Sequence, residues 1–133
     1  MPAMVDSCVL LDVFTEDPRW FEWSSDALAR QADRGTLVVN PVIYAEISVR
    51  VERIEDLESL LTPPVFEYRP VPREAAFLAA KCFVRYRRRG GTRVLPLPEL
   101  FIGAHAAVEG LTVITRDPRR IRQHFPRVEL ICP

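Results

Sequence analysis

The chain has 133 residues, of which 48% are hydrophobic, and its acidic and basic side chains are equal in number. This length fits one domain with its own core, so we expect a single domain over residues 1–133. The N-terminus has neither the basic segment nor the apolar stretch of a signal peptide, and no run approaches the ~18 apolar residues of a membrane helix. An odd number of cysteines (Cys8, Cys82 and Cys132) favours reduced thiols and a cytoplasmic location.

The neutral net charge hides an uneven distribution along the chain. Residues 1–66 contain twelve acids and five arginines, net −7, whereas residues 67–133 contain six acids, twelve arginines and one lysine, net +7. Arginine binds phosphate through two parallel hydrogen bonds more readily than lysine does. A GC-rich genome would explain the excess of arginine over lysine, but it would not explain the difference between the two halves.

Short aliphatic or β-branched runs alternate with longer helical patterns, which is typical of an α/β fold with a mostly parallel sheet. The predicted strands are residues 4–7, 36–40, 64–68, 111–115 and 128–131. Predicted helices occupy about 20–32, 41–50, 53–62, 73–89, a segment from 98 onward, and 117–125. Asn40 and Pro41 favour a helix start. In the helix over 73–89 we expect an apolar stripe of Ala76, Ala79, Ala80, Phe83 and Tyr86.

Four acids lie near the ends of these elements. Asp6 ends the first predicted strand, and Asp117 lies just beyond the fourth. Glu46 and Glu99 lie on predicted helices among apolar or small neighbours, so neither is an obvious solvent-facing charge. Ligand sites of open parallel sheets lie outside the carboxyl ends of the strands, where Asp6 and Asp117 are expected. A structural explanation exists for three of the acids, because Asp6 and Asp117 suit helix caps and Glu99 suits a helix dipole.

Four carboxylates gathered in one place would repel one another unless cations neutralised them. Oxygen ligands without histidine or cysteine suit Mg²⁺ or Mn²⁺, which often share their ligand shell with a substrate phosphate. Such ions activate water for phosphodiester cleavage. An arginine-rich rim would hold the backbone of a nucleic acid. Together, these features favour a metal-dependent nuclease.

Four segments of the chain resemble, in order and spacing, the PIN-domain ribonucleases of VapC type. They are "VDSCVLLDVF" (5–14), "VNPVIYAEIS" (39–48), "LPELFIGAHA" (97–106) and "LTVITRDPRRIRQHFP" (111–126). The resemblance implies a three-layer α/β/α domain with a small, mostly parallel sheet, and Mg²⁺- or Mn²⁺-dependent cleavage of RNA that leaves 5′-phosphate and 3′-hydroxyl ends. It also implies the toxin of a type II toxin–antitoxin pair, a cognate antitoxin partner and a homodimer.

The resemblance assigns the catalytic, metal-binding set to Asp6, Glu46, Glu99 and Asp117. Two positions depart from the family pattern. Glu99 stands where aspartate is usual, so its carboxylate is about one C–C bond further from the backbone. Cys8 stands where the first motif usually has an asparagine. We leave Cys8 outside the site because a thiol is a poor Mg²⁺ ligand.

Neighbouring side chains are expected to support this set. Ser7 and Thr115 are predicted to hydrogen-bond the carboxylates of Asp6 and Asp117 or a metal-bound water, and Asn40 is predicted to act as a helix cap rather than a metal contact. The predicted RNA contacts are Arg116, Arg119, Arg88 and Arg89, with Arg116 nearest the metal. We expect His105 to be structural, His124 to be exposed, and Trp20 and Trp23 to lie in the core or an interface.

Two other functions would also account for some of these features. A phosphoacceptor signalling domain needs a lysine near its last strand, but the only lysine, Lys81, lies in a long predicted helix. A PIN-like module that binds RNA or a protein without cleaving it remains the alternative. No side chain resembles a nucleophile or a histidine general base, so in the nuclease the metals would supply most of the chemistry. The hydrophobic helix pair near 41–61 is a possible antitoxin docking surface.

Overall fold

The computed structural model describes residues 1–92 and 97–133, and a five-stranded sheet forms its centre. The strands follow the order β3-β2-β1-β4-β5, and every neighbouring pair is parallel. Their bounds are β1 Ala3–Val5, β2 Leu37–Val39, β3 Phe66–Tyr68, β4 Thr112–Ile114 and β5 Leu130–Ile131. The predicted α/β class is confirmed, and the described sheet is wholly parallel.

Helices cover both faces of this sheet in a three-layer α/β/α arrangement, as expected. Their bounds are α1 Ser7–Phe14, α2 Phe21–Ala32, α3 Pro41–Ser48, α4 Ile54–Leu60, α5 Arg73–Arg88, α6 Pro98–Glu109 and α7 Arg119–His124. Helix α1 packs against α2 and α3, and α6 packs against α5, α3 and α7. None of the helices in the described part of the chain is long and apolar enough to cross a membrane.

The three inner strands form the centre of the hydrophobic core. All residues of β1 and β2 are buried, as are Val113 and Ile114 of β4. Parallel strands covered by helices on both faces are continuously apolar in this way, because neither face meets water. The carboxyl end of β1 is therefore held rigidly between those of β2 and β4.

Local signals in the sequence explain how helix α3 begins and how helix α6 ends. The side-chain oxygen of Asn40 accepts a hydrogen bond from the Ile43 amide at 2.9 Å, and Pro41 follows as the first helical residue of α3. This confirms the predicted cap. Gly110 has φ of 65°, a left-handed conformation that glycine adopts without a steric penalty, and it ends α6.

The predicted apolar stripe of α5 is partly wrong. The buried residues of this helix are Ala75, Ala79 and Cys82, whereas Ala76 and Ala80 are exposed. The helix is rotated so that the row at 75, 79 and 82 faces α6. Alanine is small enough for either face, so the alanines at 75–76 and 79–80 do not specify which side is buried.

The strand order brings both halves of the chain to β1. β2, from the acidic first half, is its neighbour on one side, and β4, from the basic second half, is its neighbour on the other. The carboxyl end of β1 therefore lies where the two halves meet.

Candidate active site

A pocket of about 180 Å³ opens at the carboxyl ends of β1 and β4. All four predicted acids line it: Asp6, Glu46, Glu99 and Asp117. The other lining residues are Ser7, Cys8, Ile102, Arg116 and Arg120. Asp6 follows β1 directly and Asp117 lies shortly after β4, which explains why residues far apart in sequence meet at one edge of the sheet.

Asp6 is partly buried, and hydroxyl groups hold its carboxylate. Thr115 donates its hydroxyl proton to Oδ2 of Asp6 at 2.7 Å, and the Ser7 hydroxyl lies 3.5 Å from Oδ1. Burial raises the pKa of Asp6 above its usual range, and the charge of Glu99 adds to this rise, although the bond from Thr115 opposes it. The hydrogen bonds to Asp6 therefore offset only part of the cost of burying its negative charge.

Glu46 projects from the middle of α3 toward the same pocket. The Ser7 hydroxyl donates to its Oε1 at 3.0 Å, so Ser7 links the carboxylates of Asp6 and Glu46. Burial raises the pKa of Glu46, and the charges of Asp6 and Glu99 contribute. None of the ion pairs within residues 1–92 and 97–133 involves Asp6 or Glu46. These two acids lack a fixed cationic partner in the described structure.

Asp117 is the most solvated of the four acids, with its side chain 63% exposed. Its carboxylate lies 3.6 Å from Nε of Arg119, and its backbone amide donates to the Thr115 hydroxyl at 3.1 Å. The predicted contact from Thr115 to the Asp6 carboxylate is therefore present. The contact to Asp117 runs through the backbone rather than the carboxylate.

Glu99 faces an arginine that the sequence analysis did not single out. Nη1 of Arg120 lies 3.6 Å from Oε1 of Glu99, and both side chains are about two-fifths exposed (42% and 39%). Oε2 of Glu99 and Nη1 of Arg120 are buried atoms without a hydrogen-bond partner among the described residues. The contact is therefore an ion pair without a hydrogen bond.

Arg116 is held by a buried acid that the sequence analysis also missed. Its Nε donates to Oδ2 of Asp12 at 2.8 Å, and Ser24 donates to the same oxygen at 2.8 Å. The Asp12 side chain is only 3% exposed. The Arg116 guanidinium also lies 5.7 Å from the centroid of the Trp20 ring, so Trp20 supports arginine at the rim of the pocket. The only sequence signal for Asp12 is a charge within the apolar run "VLLDVF".

The remaining predicted RNA contacts lie on the surface. Arg119 has a side chain that is 89% exposed, and Arg88 and Arg89 are exposed at the end of α5. Arg89 acts on His124 of α7, whose pKa is lowered by burial and by nearby Arg85, Arg89 and Arg120. The end of α5 therefore lies close enough to α7 to extend its positive charge.

The histidines have structural surroundings. The buried ring of His105 lies between the Asn40 amide, 3.2 Å from Nδ1, and Glu109, 3.0 Å from Nε2, and neither His105 nor Asn40 lines the pocket. Burial lowers the pKa of His105. His124, the last residue of α7, is partly buried rather than exposed as expected, and Arg85, Arg89 and Arg120 lie near it.

The donor set of the pocket fits a hydrated divalent cation. Among the described residues, no group of three or more histidine, cysteine or acidic side chains could hold a metal ion directly. Mg²⁺ needs no such group, since it keeps several waters and binds one or two carboxylates. Asp6 and Glu46, which have raised pKa values, and the unpartnered oxygen of Glu99 supply oxygen donors and excess negative charge for such an ion.

Three solved structures are similar to this chain over nearly its whole length. VapBC2 from Rickettsia felis, bound to a DNA fragment from its promoter, matches with a TM-score of 0.75 at 16% identity over 100% of this chain and 99% of that chain. DNA-bound VapBC from Salmonella typhimurium matches with a TM-score of 0.71 at 18% identity over 99% and 98%. VapBC-1 from nontypeable Haemophilus influenzae matches with a TM-score of 0.70 at 14% identity over 99% and 98%. These likenesses show a shared fold.

Sequence comparisons give a family but no individual relative. No curated protein sequence matches the chain. The family model of the PIN domain matches residues 3–128, which include the whole described sheet up to β4 and all four pocket acids. Since this match covers nearly the entire length, the chain belongs to the PIN-domain family.

Proposed function

We propose that this protein is a divalent-metal-dependent endoribonuclease, the toxin of a type II toxin–antitoxin pair. PIN domains are generally nucleases, and the similar solved structures described above are VapBC complexes. The observation that carries the proposal is the pocket in which four acids meet, two of them with raised pKa values and no cationic partner in the described structure. A site of this kind attracts a cation, and its arginine rim attracts phosphate.

In this proposal the acids divide the work of holding the ion. Asp6 and Glu46, which lack a cationic partner in the described structure, would be the main residues to hold Mg²⁺ or Mn²⁺, and Glu99 and Asp117 would add their negative charge. When bound, the ion supplies a water of lowered pKa and stabilises charge at the phosphodiester. Ser7 and Thr115 fix the carboxylate orientations through their hydroxyl groups. Asn40 fixes the start of α3, on which Glu46 lies.

Arg116 is the proposed phosphate contact closest to the ion. Its Nε is bound by Asp12, and that bond fixes the direction of the guanidinium. Arginine has further N–H donors beyond Nε, and these suit the oxygens of a phosphodiester. Arg119, Arg88 and Arg89 extend the positive surface along which RNA would lie.

The other expected properties belong to the same proposal. We take residues 1–133 as one domain that acts in the cytoplasm as a homodimer. A cognate antitoxin would dock an amphipathic helix on α3 and α4, where Val49, Ile54 and Leu60 are 82%, 64% and 44% exposed. Removal of these apolar side chains should weaken such a complex without affecting the acids of the pocket.

Cleavage assays test the proposal directly. Purified, antitoxin-free protein would be incubated with tRNA and rRNA in Mg²⁺, in Mn²⁺ and in chelator, beside Asp6→Asn and an Arg122→Gln control at the far end of α7. We expect metal-dependent cuts that disappear in the Asp6 variant and persist in the control. Cleavage that is unchanged by chelator or by Asp6→Asn would contradict the proposal.

One observation favours the alternative of a PIN-like module that binds without cleaving. The carboxylate of Glu99 already lies 3.6 Å from Arg120, which opposes its use as a metal ligand. If neither wild-type protein nor Glu99→Asp cuts any RNA while both bind it, this alternative replaces the nuclease.

A further inference from the structure

Arg120 and Glu99 form a loose ion pair inside the pocket, so Arg120 can change its partner. Their closest atoms are 3.6 Å apart, and each side chain has a buried polar atom without a hydrogen-bond partner in the described structure. The Arg116–Asp12 pair differs in every respect. Its atoms are 2.8 Å apart, its acid is almost fully buried, and Ser24 completes its hydrogen bonding. Arg116 is therefore fixed by a hydrogen bond, whereas Arg120 is held only by the electrostatic attraction of Glu99.

The position of Arg120 gives its charge two possible partners. It lines the same pocket as the four acids, yet its side chain is 42% exposed and so reaches the pocket entrance. It is also close enough to His124 to lower the pKa of that residue together with Arg85 and Arg89, which places it at the edge of the basic surface. Arg120 thus lies between the acids and the surface proposed to bind RNA.

Glu99 needs a cation beside it, because its charge repels both Asp6 and Glu46. In the metal-free protein Arg120, 3.6 Å away, supplies that charge. We propose that Arg120 is an internal counter-ion that neutralises Glu99 in the metal-free protein and moves to a phosphate of the RNA when a divalent ion binds. This inference rests on the proposed function. Arg120 would then compete with metal for Glu99 and would couple metal binding to RNA binding.

Metal binding is the first test. Calorimetry would measure the affinity for Mn²⁺ of wild type, Arg120→Gln, and Arg122→Gln, which removes the same charge from the same helix where the arginine instead contacts Cys132. We expect Arg120→Gln to bind Mn²⁺ at least about fivefold more tightly, the lower end of typical coupling between sites. An affinity equal to that of Arg122→Gln would overturn the proposal, because the effect would then be one of net charge alone.

A double variant tests the direct pair. Aspartate at position 99 is shorter and withdraws the carboxylate from Arg120. In the Glu99→Asp background, Arg120→Gln should therefore raise Mn²⁺ affinity by less than it does in wild type. Equal gains in both backgrounds would contradict a contact through Glu99.

RNA binding tests the transfer to phosphate. Fluorescence anisotropy with a labelled mixed-sequence RNA oligonucleotide would be measured with and without Ca²⁺, in case Mn²⁺ allows cleavage. Arg120→Gln should weaken RNA binding more in Ca²⁺ than without it, and Arg122→Gln should not show this difference. An equal loss under both conditions would overturn the transfer. If instead Asp6→Asn binds Mn²⁺ as wild type does, the proposed function itself fails, so the two failures are distinguishable.

Discussion

The acids on the two sides of the pocket have different partners: hydroxyl groups on one side and arginines on the other. On the side of β1 and α3, Asp6 and Glu46 receive hydrogen bonds from Thr115 and Ser7, and their pKa values are raised. On the side of α7 and the loop before it, an arginine lies beside each of the other two acids of the pocket: Arg119 is 3.6 Å from Asp117, and Arg120 is 3.6 Å from Glu99. Arg116 also lines this side, and it is held at 2.8 Å by Asp12 of α1, which does not line the pocket.

This difference separates two kinds of ligand within one pocket. Hydroxyl groups orient a carboxylate without neutralising its charge, so the side of Asp6 and Glu46 still attracts a cation. Arginines beside acids are already neutralised, and their remaining N–H groups suit phosphate. The comparison therefore predicts that metal affinity depends mainly on the first side and RNA affinity mainly on the second.

The largest expected effect comes from Asp6→Asn. Cleavage should fall by about a thousandfold, at the upper end for loss of one electrostatic contributor, while the protein becomes more stable at neutral pH. The sign follows from the raised pKa: stability from this group is full below the ordinary carboxyl pKa and is lost as pH rises through the folded-state value. Asparagine does not ionise, so Asp6→Asn abolishes this loss of stability at neutral pH. Thermal melts should show a higher Tm at neutral pH and a smaller gain in acid, and a lower Tm at neutral pH would contradict the comparison.

The second effect concerns the arginine side. Arg116→Ala should destabilise the fold by about 3 kcal/mol, because it leaves the buried carboxylate of Asp12 without its charge partner. Urea unfolding would measure this. Arg119→Ala is the matched control, since its side chain is 89% exposed, and it should leave the free energy of unfolding unchanged. Similar stabilities for the two variants would mean that Asp12 does not depend on Arg116.

A smaller effect is expected from Thr115→Val, which keeps the shape of the side chain but removes the proton donor to Asp6. Mn²⁺ affinity should fall about 10- to 100-fold, the usual range for loss of a group that orients a ligand. RNA affinity without metal should not change, because Thr115 lies on the metal side of the comparison. Calorimetry and anisotropy separate the two quantities, and equal losses in both would remove the distinction between the sides.

The smallest effect is expected from Gly103→Ala on α6. A Cβ at this position would collide with the ring of Phe125, which follows α7. Overpacking costs about 1–3 kcal/mol, and the better helix propensity of alanine offsets about 1 kcal/mol of it. Urea unfolding should show a net loss, whereas Ala107→Ser on the exposed face of the same helix should not. No loss in Gly103→Ala would mean that Phe125 moves freely.

Local patterns in the sequence predicted the parts of the molecule that depend on local physics. All five strands lie within or beside their predicted segments, Asn40 caps α3 as expected, and the four acids line one pocket because parallel strands share a carboxyl edge. The class of fold follows from these features, whereas the family was identified from the resemblance of four sequence segments, and both are confirmed. The catalytic role of the acids stays a prediction.

The features that were missed depend on contacts between distant residues. Asp12 meets Arg116 across 104 positions, and nothing near either residue in sequence indicates the pair. Arg120 was one arginine among several in "RDPRRIR", and only the packing of α7 against α6 brings it to Glu99. The buried face of α5 and the partial burial of His124 were likewise decided by neighbours that helical periodicity does not reveal.

Cys8 has a consequence for how the pocket responds to pH. Burial, with the charge of Asp6 adding to it, raises the pKa of this thiol to about 11. In the metal-free protein, the thiol therefore stays neutral throughout the physiological range, and it is a slow nucleophile toward alkylating reagents and oxidants. The charge of the pocket near neutral pH therefore does not depend on Cys8, and a change of metal binding with pH in this range does not come from the thiol.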